Sequence, residues 1–466
     1  MKTPPDYSNY LSPFSWRYGS DEMRAIWSEI NKRRIWRQIW VTLAEVEAEF
    51  GLVTPEQAAD LRNHADQIDI PRALEIEAEI RHDVMAEVQT FAEQCPIGGG
   101  IIHLGLTSMD VVDNTDALRV RQSLGIVLTK LQKALLLLAG LIEKWAETPI
   151  MAFTHLQPAE PSTLGYRLAQ YAQDLMIDWE NLSRLRTNLK GKGIKGAVGT
   201  SASFGELLGL EALPEFESRI SELLDLPFFP VTTQVYPRKQ DYDILSALAG
   251  IGASIHKFAF DLRLLQSPPI GELGEPFGKK QVGSSAMPFK RNPVKAESAN
   301  SLARLLAQTA RVAWDNAALS LLERTIDDSA NRRTSIPEAF LITDELLEIV
   351  AWICEGLRVD EAALSRNLSI YSPFAATERL LMALSKAGAD RQVMHERIRE
   401  HAMRAWDVLC SGEPNSLVEQ ITSDPEFLQY LAASDLRNLM NANSYLGDAP
   451  QRARALAKQI HLSFQT

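Results

Sequence analysis

Hydrophobic positions along this chain fall into long segments that are also rich in helix-forming residues. Within residues 116–146 they lie on more than one stripe of a helix, so a helix formed there must be buried on several sides. Because a proline inside a helix costs about 3 kcal/mol, segments without proline favour long helices. The pattern therefore predicts an all-α protein with a long central helical bundle. Five such segments span residues 97–148, 162–213, 238–267, 294–336 and 338–372.

Shifts in this pattern predict three helical domains, over residues 1–107, 108–358 and 359–466. Only Phe228–Tyr236 is typical of an extended segment, and a loop is the alternative there. Residues 267–293 hold nine Gly or Pro in 27 positions, against 48 in the 466 of the whole chain. A loop of this length in a helical protein is usually a functional lid or disordered. The residues that it carries favour a mobile lid.

Composition and charge exclude several classes of protein. The chain has 466 residues, 48 Lys and Arg against 60 Asp and Glu, and a net charge of −12, which argues against a dedicated nucleic-acid binder. Cys95, Cys354 and Cys410 show no CxxC spacing, so they form neither a zinc cluster by themselves nor a disulfide framework. The start of the chain has no apolar core typical of a secretory signal. The longest apolar run, Ala134–Ile142, is far shorter than the roughly 18 residues of a membrane span. We expect a soluble, cytoplasmic protein.

The segment Gly283–Pro293, GSSAMPFKRNP, carries the most suggestive chemistry of the predicted lid. It offers a hydroxyl (Ser284 or Ser285), a cation (Lys290) and an amide (Asn292). A cation and an amide suit a carboxylate, or the dianion formed when the neighbouring carbon loses a proton. The hydroxyl could move that proton if its surroundings lower its pKa. Ordinary loop chemistry is the alternative.

Two other patterns allow both a functional and a structural interpretation. His155 lies between Thr154 and Gln157 at a kink marked by proline, which we place between two long helices, although a single histidine is more often structural. Gly191–Gly196 matches G-x-G-x-x-G, but it follows a helical segment and no parallel-sheet pattern surrounds it. We therefore predict a turn there and no nucleotide cofactor.

The segment from Glu323 to Arg333, ERTIDDSANRR, mixes cations, acids and hydroxyls. A solvated helix face with ion pairs inside the helix is one interpretation. The other is a phosphate site built from Arg324, Ser329 and Arg333, because a guanidinium binds phosphate through two hydrogen bonds. In a chain of net charge −12, an anionic substrate would need such a local concentration of cations.

These motifs together resemble the adenylosuccinate lyase family of the fumarase/aspartase superfamily, closest to the branch found in animals. GSSAMPFKRNP resembles the superfamily signature, and the motifs cover nearly the whole chain in register. The resemblance implies a three-domain all-α fold and a homotetramer with sites shared between subunits. It also implies purine biosynthesis by metal-free, cofactor-free elimination of fumarate, from adenylosuccinate to give AMP and from SAICAR to give AICAR. The motifs are SPFSWRY, RHDVMA, HLGLTSMDVVDNTD, FTHLQPAEPSTLG, KGAVGTSASF, QVYPRK, GSSAMPFKRNP, ERTIDDSANRR and PFAATERLLMALSKAG.

The resemblance also assigns roles to residues. It implies that Ser284 removes a proton from the succinyl group as general base and that His155 protonates the leaving nitrogen as general acid. Lys290 and Asn292 would hold the succinyl carboxylates. The remaining substrate contacts are implied for Thr107, Ser108, Thr154 and Gln234 on the succinyl and base side, and for Arg17, Tyr18, His82, Arg324, Ser329 and Arg333 on the ribose-phosphate side, with Arg81 and Asp83, which flank His82, in a binding or a structural role.

Two positions depart from the family pattern. Phe289 stands where many bacterial members have histidine, and Ser298 stands where the animal branch tends to have arginine. The second departure bears on one polar contact near the substrate and on the preference between the two substrates. Three alternatives remain: an argininosuccinate lyase, a lyase for another succinylated nucleotide, and an inactive helical structural protein.

Overall fold

Helices make up most of the structure, a computed structural model that describes residues 8–465. Residues 1–7 and Thr466 lie outside the described residues. The prediction that the start of the chain has no secretory signal falls partly on residues 1–7. The all-α prediction is confirmed. The α-helices of the described part are α1 Asp21–Ile26, α2 Glu29–Glu49, α3 Pro55–His64, α4 Ile70–Ile80, α5 Asp83–Gln94, α6 Ser108–Lys144, α7 Leu164–Asn188, α8 Ala202–Leu208, α9 Leu213–Leu223, α10 Lys239–Gln266, α11 Val294–Ala318, α12 Asp327–Glu355, α13 Glu361–Lys386, α14 Arg391–Cys410, α15 Leu417–Ser423, α16 Ala433–Leu439 and α17 Ala449–Ser463. Short strands are β1 Pro149–Thr154, β2 Gln157–Thr163, β3 Leu273–Gly274 and β4 Arg358–Val359, and 3₁₀ turns cover Pro13–Ser15, Gly99–Ile101, Leu210–Ala212, Phe427–Gln429 and Ala442–Ser444.

Two prolines lie inside long helices, contrary to the boundaries predicted from the proline-free segments. Pro337 lies inside α12 and Pro373 inside α13. Each proline leaves the carbonyl four residues before it without an intrahelical N–H. Those carbonyls belong to Arg333 and Ser369, which are exposed residues, so water can reach this side of each helix. Buried neighbours such as Phe340 hold α12 in place across the interruption.

A β-hairpin occupies the segment that we placed at a kink between two helices. Strands β1 and β2 pair antiparallel, with Pro149 opposite Thr163 and Thr154 opposite Gln157. Met151 is buried in β1 and packs in a small core with residues of α13. Strand propensity failed to predict this hairpin because three prolines lie in it, and its stability comes from packing. The segment Phe228–Tyr236 forms only an isolated bridge, from Phe228 to Gly191.

The chain folds into two compact units, each built from three separate segments. Within the described residues, the first comprises 8–131, 177–255 and 301–348, and the second comprises 132–176, 256–300 and 349–465. Five long helices, α6, α7, α10, α11 and α12, contribute residues to both units. The three-domain division of the sequence analysis stays a prediction.

Helix α6 has 37 residues and, among residues 8–465, is the helix long and apolar enough to cross a membrane by length and composition. Central helices of soluble bundles share this property. Within this chain, 39% of its most apolar 18-residue stretch is buried.

Candidate active site

One cavity of about 600 Å³ lies within the first unit. It collects nine residues that the sequence analysis assigned to substrate binding from four separate motifs. The volume lies within the range typical of small-molecule sites. The nine are Arg81, His82, Asp83, Thr107, Ser108, Gln234, Arg324, Ser329 and Arg333.

The lining of this cavity reverses the charge balance of the chain. Six of its residues are Lys or Arg and four are Asp or Glu, whereas the whole chain has 48 and 60. Cations concentrated in a concave site raise the local concentration of anionic ligands. The cavity therefore favours an anion, as the sequence analysis required.

The amino end of α12 forms one wall. Ser329 is the third residue of this helix, and Arg324 and Arg333 lie on either side of it in sequence. A helix amino terminus presents unpaired N–H groups and a positive dipole end, both of which attract phosphate. Arg324 donates to Asp328 at 2.7 Å, which is the short-range pairing of the solvated-face interpretation, yet both residues are largely buried. A solvated helix face would explain the ion pair between Arg324 and Asp328, but it would not explain why Arg324 lines a cavity.

Asp83, the first residue of α5, also lines the cavity and holds Arg333. Arg333 Nη2 donates to Asp83 Oδ2 at 2.9 Å. Burial alone would raise the pKa of Asp83, but the charge of Arg333 and hydrogen bonds to the carboxylate outweigh it and lower the pKa. Arg333 is therefore oriented while its side chain stays 62% exposed and open to a ligand.

The ends of α5 and α6 meet at His82. Its Nε2 lies 3.4 Å from Ser108 Oγ, and its Nδ1 accepts the N–H of Met85 at 3.4 Å. Thr107 donates its N–H to Asp110 Oδ2 at 2.8 Å, which fixes the start of α6. Asp110 is buried and also pairs with the buried Lys192, so the Thr107–Ser108 segment is firmly held.

His155 and Leu156 form the two-residue turn of the β1–β2 hairpin, in the second unit. Their φ angles are 53° and 60°, as a type I′ turn requires at both central positions. Neither is glycine, and the left-handed conformation costs roughly 1–2 kcal/mol for each such residue. Backbone strain of this kind clusters at functional sites. The hairpin presents His155 and its neighbour Thr154 on the surface.

Ser284, in the loop before α11, accepts two backbone hydrogen bonds within the second unit. Its Oγ accepts the N–H of Met287 at 3.0 Å and that of Ala286 at 3.4 Å. Donors aimed at an oxygen stabilise its anionic form. Asn292 Nδ2 donates to the carbonyl of Gly283 at 2.9 Å, which closes the loop around the exposed Lys290.

Gln266 and Glu275 join the two ends of this loop. Gln266 Oε1 accepts the N–H of Glu275 at 2.9 Å, and its Nε2 donates to the carbonyl of Arg291 at 2.9 Å. The buried Glu275 carboxylate accepts the N–H of Lys295 at 3.1 Å and of Ala296 at 3.0 Å in the first turn of α11. Residues 276–290 are thus anchored at both ends and largely exposed between them. That arrangement is compatible with a lid, which stays a prediction.

The other assigned positions lie outside the cavity lining. Arg17 and Tyr18 follow the first 3₁₀ turn, in the first unit, and the Arg17 guanidinium lies 5.9 Å from the centre of the Tyr18 ring. In the second unit, Phe289 is 83% exposed in the loop, and Ser298 is half-buried in α11.

Asp60, His64 and Cys95 have ligand atoms within 4.8 Å of one another, close enough to hold a metal ion. However, Asp60 Oδ2 accepts the N–H of Ile97 and of Gly98, each at 2.8 Å. Burial raises the pKa of the Cys95 thiol to about 12, so it is protonated at neutral pH. These contacts fix the turn after α5 against α3, which is a structural role.

The sequence analysis missed several polar residues of the cavity lining. Lys32 comes from α2, Asp116 and Arg119 from α6, and Arg332 from α12. Arg332 stands beside the assigned Arg333 in ERTIDDSANRR, and Asp116 ends the motif HLGLTSMDVVDNTD, so both could have been found there. Lys32 pairs with Glu29 one turn away and carries no motif, so only the fold identifies it.

Comparisons of the sequence with protein families and with individual proteins match lyases over most of the chain. A family profile described as lyase matches residues 17–306, and one described as adenylosuccinate lyase C-terminus matches residues 373–456. The chain is 41% identical to the adenylosuccinate lyase of Saccharomyces cerevisiae, over 98% of this chain and 95% of that one. It is 41% identical to that of Schistosoma mansoni, over 91% and 89%, and 35% identical to that of Pyrococcus abyssi, over 94% and 95%.

Solved structures share the fold. A 3-carboxy-cis,cis-muconate lactonizing enzyme from Pseudomonas putida superposes with a TM-score of 0.85 at 25% identity, over 96% of this chain and 99% of that one. A fumarate lyase from Mesorhizobium sp. BNC1 superposes with a TM-score of 0.84 at 22% identity, over 97% and 99%.

Proposed function

This chain belongs to the adenylosuccinate lyase family, and from that premise we propose how its residues divide the reaction. The enzyme eliminates fumarate from adenylosuccinate to give AMP, and from SAICAR to give AICAR. The observation that carries the assignment is the cationic cavity, which unites nine residues from four family motifs. Following the resemblance, the reaction uses side chains alone, without metal or cofactor, in the cytoplasm.

Proton removal is assigned to Ser284. A proton leaves the carbon next to the one that carries the leaving nitrogen, and the carbon–nitrogen bond then breaks as fumarate forms. A serine hydroxyl is a weak base, but the N–H groups of Met287 and Ala286 point at its Oγ and stabilise the alkoxide. Lys290 and Asn292 lie on the same loop and would hold the succinyl carboxylates, whose negative charge grows in the transition state.

Proton delivery is assigned to His155. The electron pair of the broken bond goes to the leaving nitrogen, the 6-amino nitrogen of AMP or the carboxamide nitrogen of AICAR, which needs a proton to leave. Histidine suits this task because its pKa ordinarily lies near neutral pH. The strained turn of the hairpin holds His155 at an exposed tip, where it can reach a substrate.

The phosphate of the substrate is assigned to Arg324, Ser329 and Arg333, at the amino end of α12 in the first-unit cavity. His82, Thr107, Ser108, Thr154 and Gln234 would bind the rest of the substrate, as would Arg17 and Tyr18. Asp83 holds Arg333, and Arg81 lines the same cavity in a binding or a structural role.

We also propose a homotetramer whose sites are shared between subunits. Its support is the set of large apolar side chains exposed on the long helices, together with the incompletely buried α6. Ile177, Phe260 and Leu305 are each about half exposed, on α7, α10 and α11. Other subunits of a helical bundle would cover such positions.

The test of the function is fumarate release by the purified protein. Adenylosuccinate and SAICAR should each yield fumarate with the matching nucleotide, whereas argininosuccinate should yield none. Fumarate from argininosuccinate alone would assign the chain to a different lyase. Failure with all three substrates would contradict the proposal.

Arg333→Lys should lower kcat/KM for adenylosuccinate by about tenfold or more, although the charge is kept. The reason is the loss of the two-pronged hydrogen bond, since a hydrogen bond to a charged group contributes about 1.5–3 kcal/mol. The measurement compares adenylosuccinate with its dephosphorylated nucleoside for wild type and variant. Arg311→Lys is the matched control, because Arg311 is exposed on α11 and pairs with Asp315. Equal losses for both substrates would mean that Arg333 does not bind the phosphate.

A further inference from the structure

Residues that have no role in the chemistry above form one buried ion network next to the cavity, and one of them, Arg332, lines it. Most of them come from three motifs, HLGLTSMDVVDNTD, QVYPRK and ERTIDDSANRR, and the network is almost free of solvent. Arg332 donates to Asp241 at 2.8 Å and to the Tyr236 hydroxyl at 2.7 Å. The buried members are Asp113, Tyr236, Arg238, Asp241, Asp328 and Arg332.

Asp328 is the member that joins the network to Arg324, which lines the cavity. Its Oδ2 accepts from Arg238 Nε at 2.6 Å, and its Oδ1 accepts from Arg324 Nη1 at 2.7 Å. Its side chain is only 5% exposed, whereas that of Arg324 is 18% exposed and lines the cavity. Each carboxylate oxygen therefore serves a different arginine, one buried and one at the site.

Arg238 is itself immobilised from behind. Its Nη1 donates to both carboxylate oxygens of Asp113 at 3.1 Å, and Asp113 is fully buried. Asp113, Arg238, Asp328 and Arg324 thus form a continuous chain from the core to the cavity. Burial alone would raise the pKa of Asp328, but Arg238, Arg332 and Arg324 outweigh it and lower the pKa. Asp328 is accordingly ionised at neutral pH.

This chain of contacts matters because a free arginine loses rotamer freedom when it binds a ligand. That loss costs up to about 2 kcal/mol for a long side chain. A side chain already held in its binding geometry avoids the cost at the moment of binding.

We propose that Asp328 is a positioning residue that fixes the Arg324 guanidinium for the substrate phosphate. The proposal rests on the proposed function, in which Arg324 binds that phosphate. Asp328 lies next to Asp327, which has the same charge and the same helix turn but contacts the Thr325 hydroxyl instead. Asp327 is therefore a matched control for substitutions of Asp328.

The test is Asp328→Asn beside Asp327→Asn, assayed with adenylosuccinate and with its dephosphorylated nucleoside. Asp328→Asn should raise KM for adenylosuccinate about tenfold, the effect of about 1.4 kcal/mol of lost binding, and leave kcat within about threefold. It should change kcat/KM for the nucleoside by less than about twofold, and Asp327→Asn should change neither. In an Arg324→Ala background, Asp328→Asn should add no further loss, because the residue acts through Arg324.

Equal losses for the two substrates, or additive losses in the Arg324→Ala background, would overturn the inference. If Asp328→Asn lowers the melting temperature or breaks the assembly, Asp328→Glu takes its place. That variant keeps the charge and should show the same selective rise in KM, and a loss shared by both substrates would again overturn the inference. If the wild type releases no fumarate, the proposed function fails instead.

Discussion

Ser284→Ala should lower kcat for fumarate release by at least about 100-fold, the minimum expected from losing a general base. The hydroxyl oxygen that accepts the N–H groups of Met287 and Ala286 is the assigned proton acceptor. Alanine keeps the loop backbone but has no atom that can take the proton. Binding should survive, because the cationic cavity is untouched. The measurement is kcat with both substrates, with circular dichroism and sedimentation to confirm fold and assembly.

Ser285→Ala is the matched control, because the residues alone left the choice between the two serines open. Ser285 is exposed on the same loop, and its replacement removes the same hydroxyl one residue away. Its kcat should stay within about threefold of wild type, as is usual for a surface substitution. If Ser285→Ala loses most of its kcat while Ser284→Ala stays active, Ser285 and not Ser284 would be the general base.

His155→Ala should also lower kcat by at least about 100-fold, because the leaving nitrogen would depart without a general acid. The fold should be unaffected, since His155 is exposed at the tip of the hairpin. The readout is kcat for fumarate release with both substrates. A variant that keeps more than about a tenth of the wild-type kcat would contradict the role.

Leu156→Ala controls for the strained turn. Leu156 shares the left-handed conformation and is 71% exposed, so its replacement perturbs the same backbone without removing a proton donor. Mixing the His155→Ala and Ser284→Ala proteins extends the comparison to the assembly. If one site takes the two residues from different subunits, exchange shown by mass spectrometry should restore part of the activity.

The sequence predicted the long helices but misplaced their boundaries at proline. The proline-free segment 238–267 matches α10 almost residue for residue. By contrast, α12 continues through Pro337 because its freed carbonyl belongs to an exposed residue and its other face is buried. Helix propensity is a local property, whereas tolerance of a proline depends on what surrounds each face of the helix.

For the candidate site, the sequence supplied the residue types and the fold supplied their arrangement. The motif FTHLQP identified His155 as a candidate. The hairpin that carries it was not predicted, because three of the residues from 149 to 161 are prolines, which disfavour strands. The ERTIDDSANRR segment remained ambiguous between a phosphate site and a solvated face. The structure shows that Arg324 and Arg333 line one cavity with residues more than 200 positions away in sequence, and the phosphate site stays a proposal.

What the sequence determined by itself was therefore the helical class, the family resemblance and the inventory of reactive side chains. These follow from composition, from proline spacing and from short motifs, each of which is contained in neighbouring residues. Only the tertiary structure decided which arginines are buried and which remain open to a ligand. Arg332 and Arg333 are adjacent in sequence and both line the cavity, yet Arg332 is buried and paired with Asp241, whereas Arg333 is 62% exposed. Burial and ion pairing depend on contacts between segments that are far apart in sequence, so the residues next to an arginine do not show whether it is buried.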